Sequence, residues 1–266
     1  MFLKKVMTLV ASMFVLSMPL AANWCCEPQV TPYVKIVSGV TFPCSPNVSA
    51  LPPAWDSAIE GYNSDFDTRP ILGGAIGAEV GAYGALDLSL AYRGQFNYEK
   101  FQTPGSGASI DPLGVPRTRR FNLDATSLLC SVYLYGRCFE CLTWQCGSGV
   151  FYPVVGVGVG TSRIVIWDFR TTGLPPLPGN ETLLAFSGDN QYSVRWRFTY
   201  QASAGFEYRH CDSWALGFGY RWFDAGRFSG PRYFRDKFGG SFDAGNNVWK
   251  MSLRSNELYV DLKLFF

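Results

Sequence analysis

The residues with the strongest chemistry in this 266-residue chain are its eight cysteines and its single histidine. Cys138, Cys141 and Cys146 are spaced Cys-x2-Cys-x4-Cys, and His210-Cys211 stand together further along. Thiolate and imidazole are the ligands zinc favours, so this group could in principle hold a metal, although the spacing is loose. Two plainer chemistries compete with that one. Cys25, Cys26, Cys138, Cys141, Cys146 and Cys211 are candidates for disulfides within one molecule. The same thiols could instead cross-link copies of the chain, or join it to cysteine-rich envelope proteins. Cys44 and Cys130 stand apart from the group. His210 could also serve a Ser–His or Cys–His nucleophile, against its plainer reading as an exposed turn residue. The run Gly156-Val157-Gly158-Val159-Gly160 looks superficially like a phosphate loop. No helix follows it, and alternate glycines suit a strand whose neighbours need room. No cofactor is expected. Asn47-Val48-Ser49 and Asn180-Glu181-Thr182 fit a glycosylation pattern but carry little weight here.

The charged residues form a second group, and their spacing shows what must position them. From Tyr192 to Tyr208, Trp196, Phe198, Tyr200, Ala202, Ala204, Phe206 and Tyr208 alternate with Arg195, Arg197, Thr199, Gln201, Ser203, Gly205 and Glu207. After a break at His210–Ser213, Trp214, Leu216, Phe218, Tyr220 and Trp222 alternate with Ala215, Gly217, Gly219 and Arg221. Period two identifies strands. One face carries bulky apolar side chains; the other mixes small residues with charges. That is the pattern of a membrane-spanning barrel strand, apolar toward lipid and polar toward the lumen.

Six further segments fit the same description. They are Pro32–Phe42, Ile71–Tyr83, Leu86–Phe101, Phe121–Gly136, Val150–Trp167 and Leu253–Phe266. In Leu86–Phe101 the residues Leu86, Leu88, Leu90, Tyr92, Phe96 and Tyr98 share the apolar face. In Phe121–Gly136 the parity is ambiguous: Leu128, Cys130, Val132 and Leu134 compete with Leu129, Tyr133 and Tyr135. The polar faces then bring together Lys35, Glu79, Asp87, Arg93, Arg197, Glu207, Arg209, Arg221, Glu257, Asp261 and Lys263, with Glu99 and Arg195. Charges shielded from water should pair, because an unpaired one is costly.

Met1–Ala22 reads as a secretory signal, with Lys4 and Lys5 before an apolar run and Ala21-Ala22 at its end. Residues 23–266 are then the barrel domain. The signal removes two bases, so Lys+Arg falls from 23 to 21 against 21 Asp+Glu. A neutral mature chain argues against nucleic acid as a partner. No later stretch offers the roughly 20 apolar residues of a spanning helix. Membrane residence must therefore come from a closed barrel, in which every backbone group is paired.

Eight strands have connections that alternate long, short, long, medium, long, short, long. Short turns on the periplasmic side and four long outer loops follow, with both termini inside. A soluble lipocalin-type barrel is the competing architecture. It would put bulky residues inside and charges outside, the reverse of this assignment.

The segments Tyr152–Gly160, Tyr200–Arg209 and Gly219–Asp224, with the closing strand Leu253–Phe266, resemble the small outer-membrane barrels of the opacity-protein and surface-antigen family. These are akin in architecture to the transmembrane domain of outer-membrane protein A. The terminal aromatic Phe266 resembles the signal that the family's insertion machinery reads. The likeness spans the mature chain, and the eight cysteines depart from it. It implies an all-β, eight-stranded transmembrane barrel in the bacterial outer membrane, with outer-membrane lipid as its surroundings. It also implies a structural and surface-antigen role, with loops for adhesion or host contact. Arg117, Arg119, Arg120, Arg232, Arg235 and Lys237 are the loop candidates for an anionic ligand such as a sulfated sugar or lipid head group. A small porin is the alternative role. A lipid-modifying enzyme stands third, because His210 falls at the periplasmic end, and the chain is expected not to be an enzyme.

Overall fold

The computed structural model describes residues 30–46, 65–81, 83–102, 117–173, 181–186, 192–211, 213–236, 241–243 and 248–266. The expected signal, Cys25, Cys26, Lys237 and the Asn47 motif lie outside them. Eight long strands carry the alternating segments: β1 Val30–Pro43, β2 Arg69–Val80, β3 Gly84–Gln102, β4 Arg117–Tyr135, β5 Gly149–Gly173, β6 Tyr192–His210, β7 Trp214–Ser229 and β8 Lys250–Phe265. Each pairs antiparallel with its chain neighbours, β1 also pairs with β8, and β5 pairs with β6, so the sheet closes into a barrel. Among the described residues there is no α-helix.

The barrel is inside-out relative to a soluble protein. Ile36, Ile76, Leu134, Val157, Leu258 and Val260 are each more than half exposed, whereas Lys35, Glu79, Asp87, Arg93, Glu207, Glu257 and Lys263 are buried. Lipocalin-type packing is thereby excluded. A closed wall with an apolar exterior is the strand solution for crossing a bilayer. The chain is an eight-stranded outer-membrane-type barrel. The tight connections around Gly81–Tyr83 and Cys211–Ser213 and the segment Gly136–Ser148 share the end that holds both termini of the ring.

The ambiguous strand resolves as Leu128, Val132 and Leu134 outward and Leu129, Tyr133 and Tyr135 inward. Gly156 makes room for this arrangement: a Cβ there would meet the Tyr133 ring at 2.5 Å.

Several strands run further than a membrane requires. β5 has 25 residues, more than twice the roughly 9–11 of a tilted spanning strand. Near the outer end three strands break their alternation. The β3–β4 register shifts between Arg93 and Phe96, where Gln95 has φ 56°. The β4–β5 register shifts between Arg120 and Asn122, beside Asp168 at φ 53°. The β7–β8 register shifts between Ser252 and Arg254, beside Gly226 at φ 72°. Each bulge adds a residue to one strand and reverses which parity faces inward.

The bulge in β3 corrects three expectations. Phe96 and Tyr98 point inward, at 0% and 1% exposure, rather than toward lipid. Glu99 is exposed and stands opposite Arg120 on the outer face, rather than in the lumen.

Candidate functional site

The interior is built in layers, and each layer takes its side chains from facing strands. At the periplasmic end Glu79 of β2 accepts from Arg137, at 2.8 Å, and from Arg209 of β6. Lys263 of β8 pairs with Glu207 of β6 and donates to the Tyr135 hydroxyl at 3.0 Å. Tyr152 donates to the other oxygen of Glu207 at 2.5 Å. Beside Lys263 on the neighbouring strand, Lys35 pairs with Asp87 and donates to the Tyr133 hydroxyl at 3.2 Å.

Arg93 and Arg221 hold the next layer. Arg93 donates through Nε and Nη2 to the two oxygens of Glu257, at 2.5 and 3.1 Å, and through Nη1 to Ser127 at 3.1 Å. Arg221 approaches the same carboxylate at 3.5 Å and lies over the Tyr259 ring, 4.7 Å from its centre. Ser127, Ser162 and Thr199 form a buried chain of hydroxyls, each link 2.7 Å. The arginine-to-carboxylate fork fixes direction as well as distance.

Above the ionic layers the lumen turns apolar. Phe66, Phe96, Tyr98, Phe121, Leu123, Ile166, Phe169, Phe228, Trp249 and Met251 form one buried cluster. Phe121 stacks on Tyr98 at 4.9 Å and on Trp249 at 5.3 Å. The three bulges turn many of these side chains inward. Arg93 joins the two regions by lying 3.6 Å from the centre of the Phe223 ring.

All eleven expected lumen charges face the interior, and nine of them make ion pairs there. Arg197 and Asp261 are the other two: neither shares an ion pair among the described residues. Sequence periodicity missed Arg137, which lies in the 3-10 turn Gly136–Cys138, outside any alternating segment. It also missed the tyrosine hydroxyls that cap the lysines. Tyr133 and Tyr135 lie on the strand whose parity the sequence left ambiguous, and their partners on other strands were not legible either.

Cys44, Cys130, Cys141, Cys146 and Cys211 are free thiols, so no bridge joins the last three. Cys211 Sγ is turned toward the Ser148 carbonyl oxygen at 3.7 Å, and all three thiols are exposed. The Cys138 side chain lies outside the described residues. Among the described residues no group of three or more His, Cys, Asp and Glu gathers into a metal site. His210 stacks on Trp214 at 5.1 Å, and its Nδ1 is 3.1 Å from Ser148 Oγ. Of the loop candidates, Arg120 and Arg232 are exposed, and Arg232 lies over the Tyr233 ring at 5.4 Å. Arg117 and Arg119 belong to β4 and Arg235 to the short strand Tyr233–Asp236, with side chains outside the described residues.

The fold and its filled lumen define the class, an integral outer-membrane β-barrel. No family model matches the chain and no curated protein matches it. It is similar in fold to the outer membrane protein OprG from Pseudomonas aeruginosa, at 12% identity and TM-score 0.46, over 90% of this chain and 97% of that one. It is likewise similar to outer membrane protein AlkL, at 17% identity and TM-score 0.45, over 94% of this chain and 96% of that one. A third similar structure is the outer membrane protease OmpT from Escherichia coli, at 9% identity and TM-score 0.45, over 93% and 99% of the two chains. These likenesses concern the fold alone. The last corrects one expectation: with a protease among the similar barrels, the architecture gives no ground for excluding an enzyme.

Proposed function

We propose that the chain is a plugged envelope barrel of the opacity and surface-antigen kind, which supports the outer membrane and presents its outer loops for contact with a host or the surroundings. One observation carries this reading: the lumen is filled in succession by ion-paired layers and by an aromatic cluster. An eight-stranded barrel has an interior just wide enough for side chains, and here they interlock. Such a lumen favours a structural role over a small porin.

Planar-bilayer recording of the refolded chain tests the proposal. Added protein is expected to leave the membrane without discrete conductance steps. Stable steps that are lost on boiling the protein would establish the porin instead.

Two partner classes belong to this reading. Exposed Arg120 and Arg232 suit an anionic ligand such as a sulfated sugar. The exposed thiols Cys141, Cys146 and Cys211 suit cross-links to cysteine-rich envelope proteins, in a compartment that permits them.

A further inference from the structure

The barrel wall carries a seam. β6 and β7 pair from His210–Trp214 up to Tyr200–Asp224, and the ladder stops there. Among the described residues, Tyr192–Thr199 beyond that point pairs only with β5, and Arg227–Ser229 only with β8. Further out the wall resumes, where the short strands Glu181–Phe186 and Tyr233–Asp236 pair through Phe186 and Tyr233. The unpaired stretch is therefore bounded above and below. It is narrow at its foot, where a Cβ on Gly226 would lie 3.2 Å from the Phe198 carbonyl oxygen.

Arg195 and Arg197 line this seam. Their cross-strand partners are Ile164 and Ser162, both buried in the lumen, so both guanidinium groups face inward. Arg195 reaches across the seam to the Gly230 carbonyl at 3.1 Å and also donates to the Val194 carbonyl at 3.1 Å. Neither arginine makes an ion pair with a carboxylate among the described residues. Arg197 Nε is buried with no hydrogen-bond partner. Two like charges on one face of one strand, half-buried and without a counter-charge, are unfavourable unless an anion joins them. The outward residues between and beyond them are Trp196 and Phe198, exposed to 61% and 67%. Strand alternation thus puts cations on the lumen side of the seam and aromatic rings on its outer side.

We propose that Arg195 and Arg197 form an anion site at the β6–β7 seam, which takes a phosphate-class head group, with Trp196 and Phe198 providing contact for an attached hydrocarbon chain. Guanidinium forks fit phosphate oxygens by paired N–H donors. The head group can arrive on an amphiphile of the outer leaflet or as soluble phosphate. The two sources differ in whether the aromatic rings contribute.

Calorimetric titration of the full refolded chain in zwitterionic micelles distinguishes them, with dodecyl phosphate and inorganic phosphate as probes. Saturable binding of at least one probe is expected, at least tenfold weaker in Arg197→Gln and unchanged in Arg163→Gln. Arg163 stands opposite Trp196 on the outer face. A preference for dodecyl phosphate of tenfold or more identifies a membrane amphiphile, and equal affinities identify the soluble anion. Arg197→Gln has no side-chain hydrogen bond to lose, so it should fold. Without ligand it should also unfold at a higher temperature than the parent chain. Absence of saturable binding, or undiminished binding in Arg197→Gln, would overturn the site.

Discussion

Arg93 and Glu257, 164 residues apart in sequence, meet as a two-point ion pair with both side chains fully buried. Each is the other's main reason for tolerating the lumen. Removing one partner strands the other charge, and breaking such a pair typically costs about 3–5 kcal/mol. Glu257→Gln and Arg93→Met should each lower resistance to urea by about that amount in lipid vesicles, read from the gel-shift of folded against boiled protein. The double variant Arg93→Met/Glu257→Gln should lose less than the sum of the two single losses, although Arg221 then keeps no carboxylate partner among the described residues. Single and double losses that simply add would show that the two residues act independently.

Gln95 should be the one extra residue that separates the inward positions Arg93 and Phe96 of β3. Deleting Gln95 removes the extra residue and leaves Arg93, Phe96 and Tyr98 inward in simple alternation, with Glu99 still outward. In a background without other cysteines, a cysteine placed at Tyr98 should resist a maleimide reagent in both the parent barrel and the deletion variant, and one placed at Glu99 should react in both. Reaction at position 98 in the parent would mean that the outer cluster is open, and reaction there in the deletion variant alone would mean that Gln95 is not the inserted residue.

Gly156 should accept no side chain without a matching loss across the lumen. Gly156→Val would press on the Tyr133 ring, which already lies 2.5 Å from a built Cβ. Overpacking of this kind costs roughly 1–3 kcal/mol. Tyr133→Ala in the same chain should restore part of that stability, measured by the same urea series.

The sequence made the wall legible and the upper lumen illegible, for one physical reason. Period two assigns faces only while the ladder is regular. Leu258, Val260, Leu262 and Leu264 against Glu257, Asp261 and Lys263 could be read outright, because β8 is regular there. Phe96, Tyr98 and Glu99 could not, because nothing in Arg93-Gly94-Gln95-Phe96 announces that Gln95 adopts φ 56°. Gly94 is the only local hint. The charges of the lumen were found by the same parity, but their pairing was not. Glu79 collects Arg137 and Arg209 from a turn and from a distant strand, an outcome set by barrel closure rather than by local pattern.

The exposed thiols at the periplasmic rim should be reactive. Peptide mapping after maleimide treatment of the folded chain, without reductant, should find Cys141, Cys146 and Cys211 labelled. Labelling that requires prior reduction would show that the rim is bridged after export.

A membrane-spanning barrel requires apolar side chains facing hydrocarbon and ionic ones facing the axis. Nitroxide labels placed singly along Leu258–Leu264 in bilayers test this most directly, through their relative exposure to dissolved oxygen, which concentrates in lipid. Oxygen exposure should rise at positions 258, 260, 262 and 264 and fall at 259, 261 and 263. The opposite alternation, or none at all, would contradict the membrane-spanning barrel.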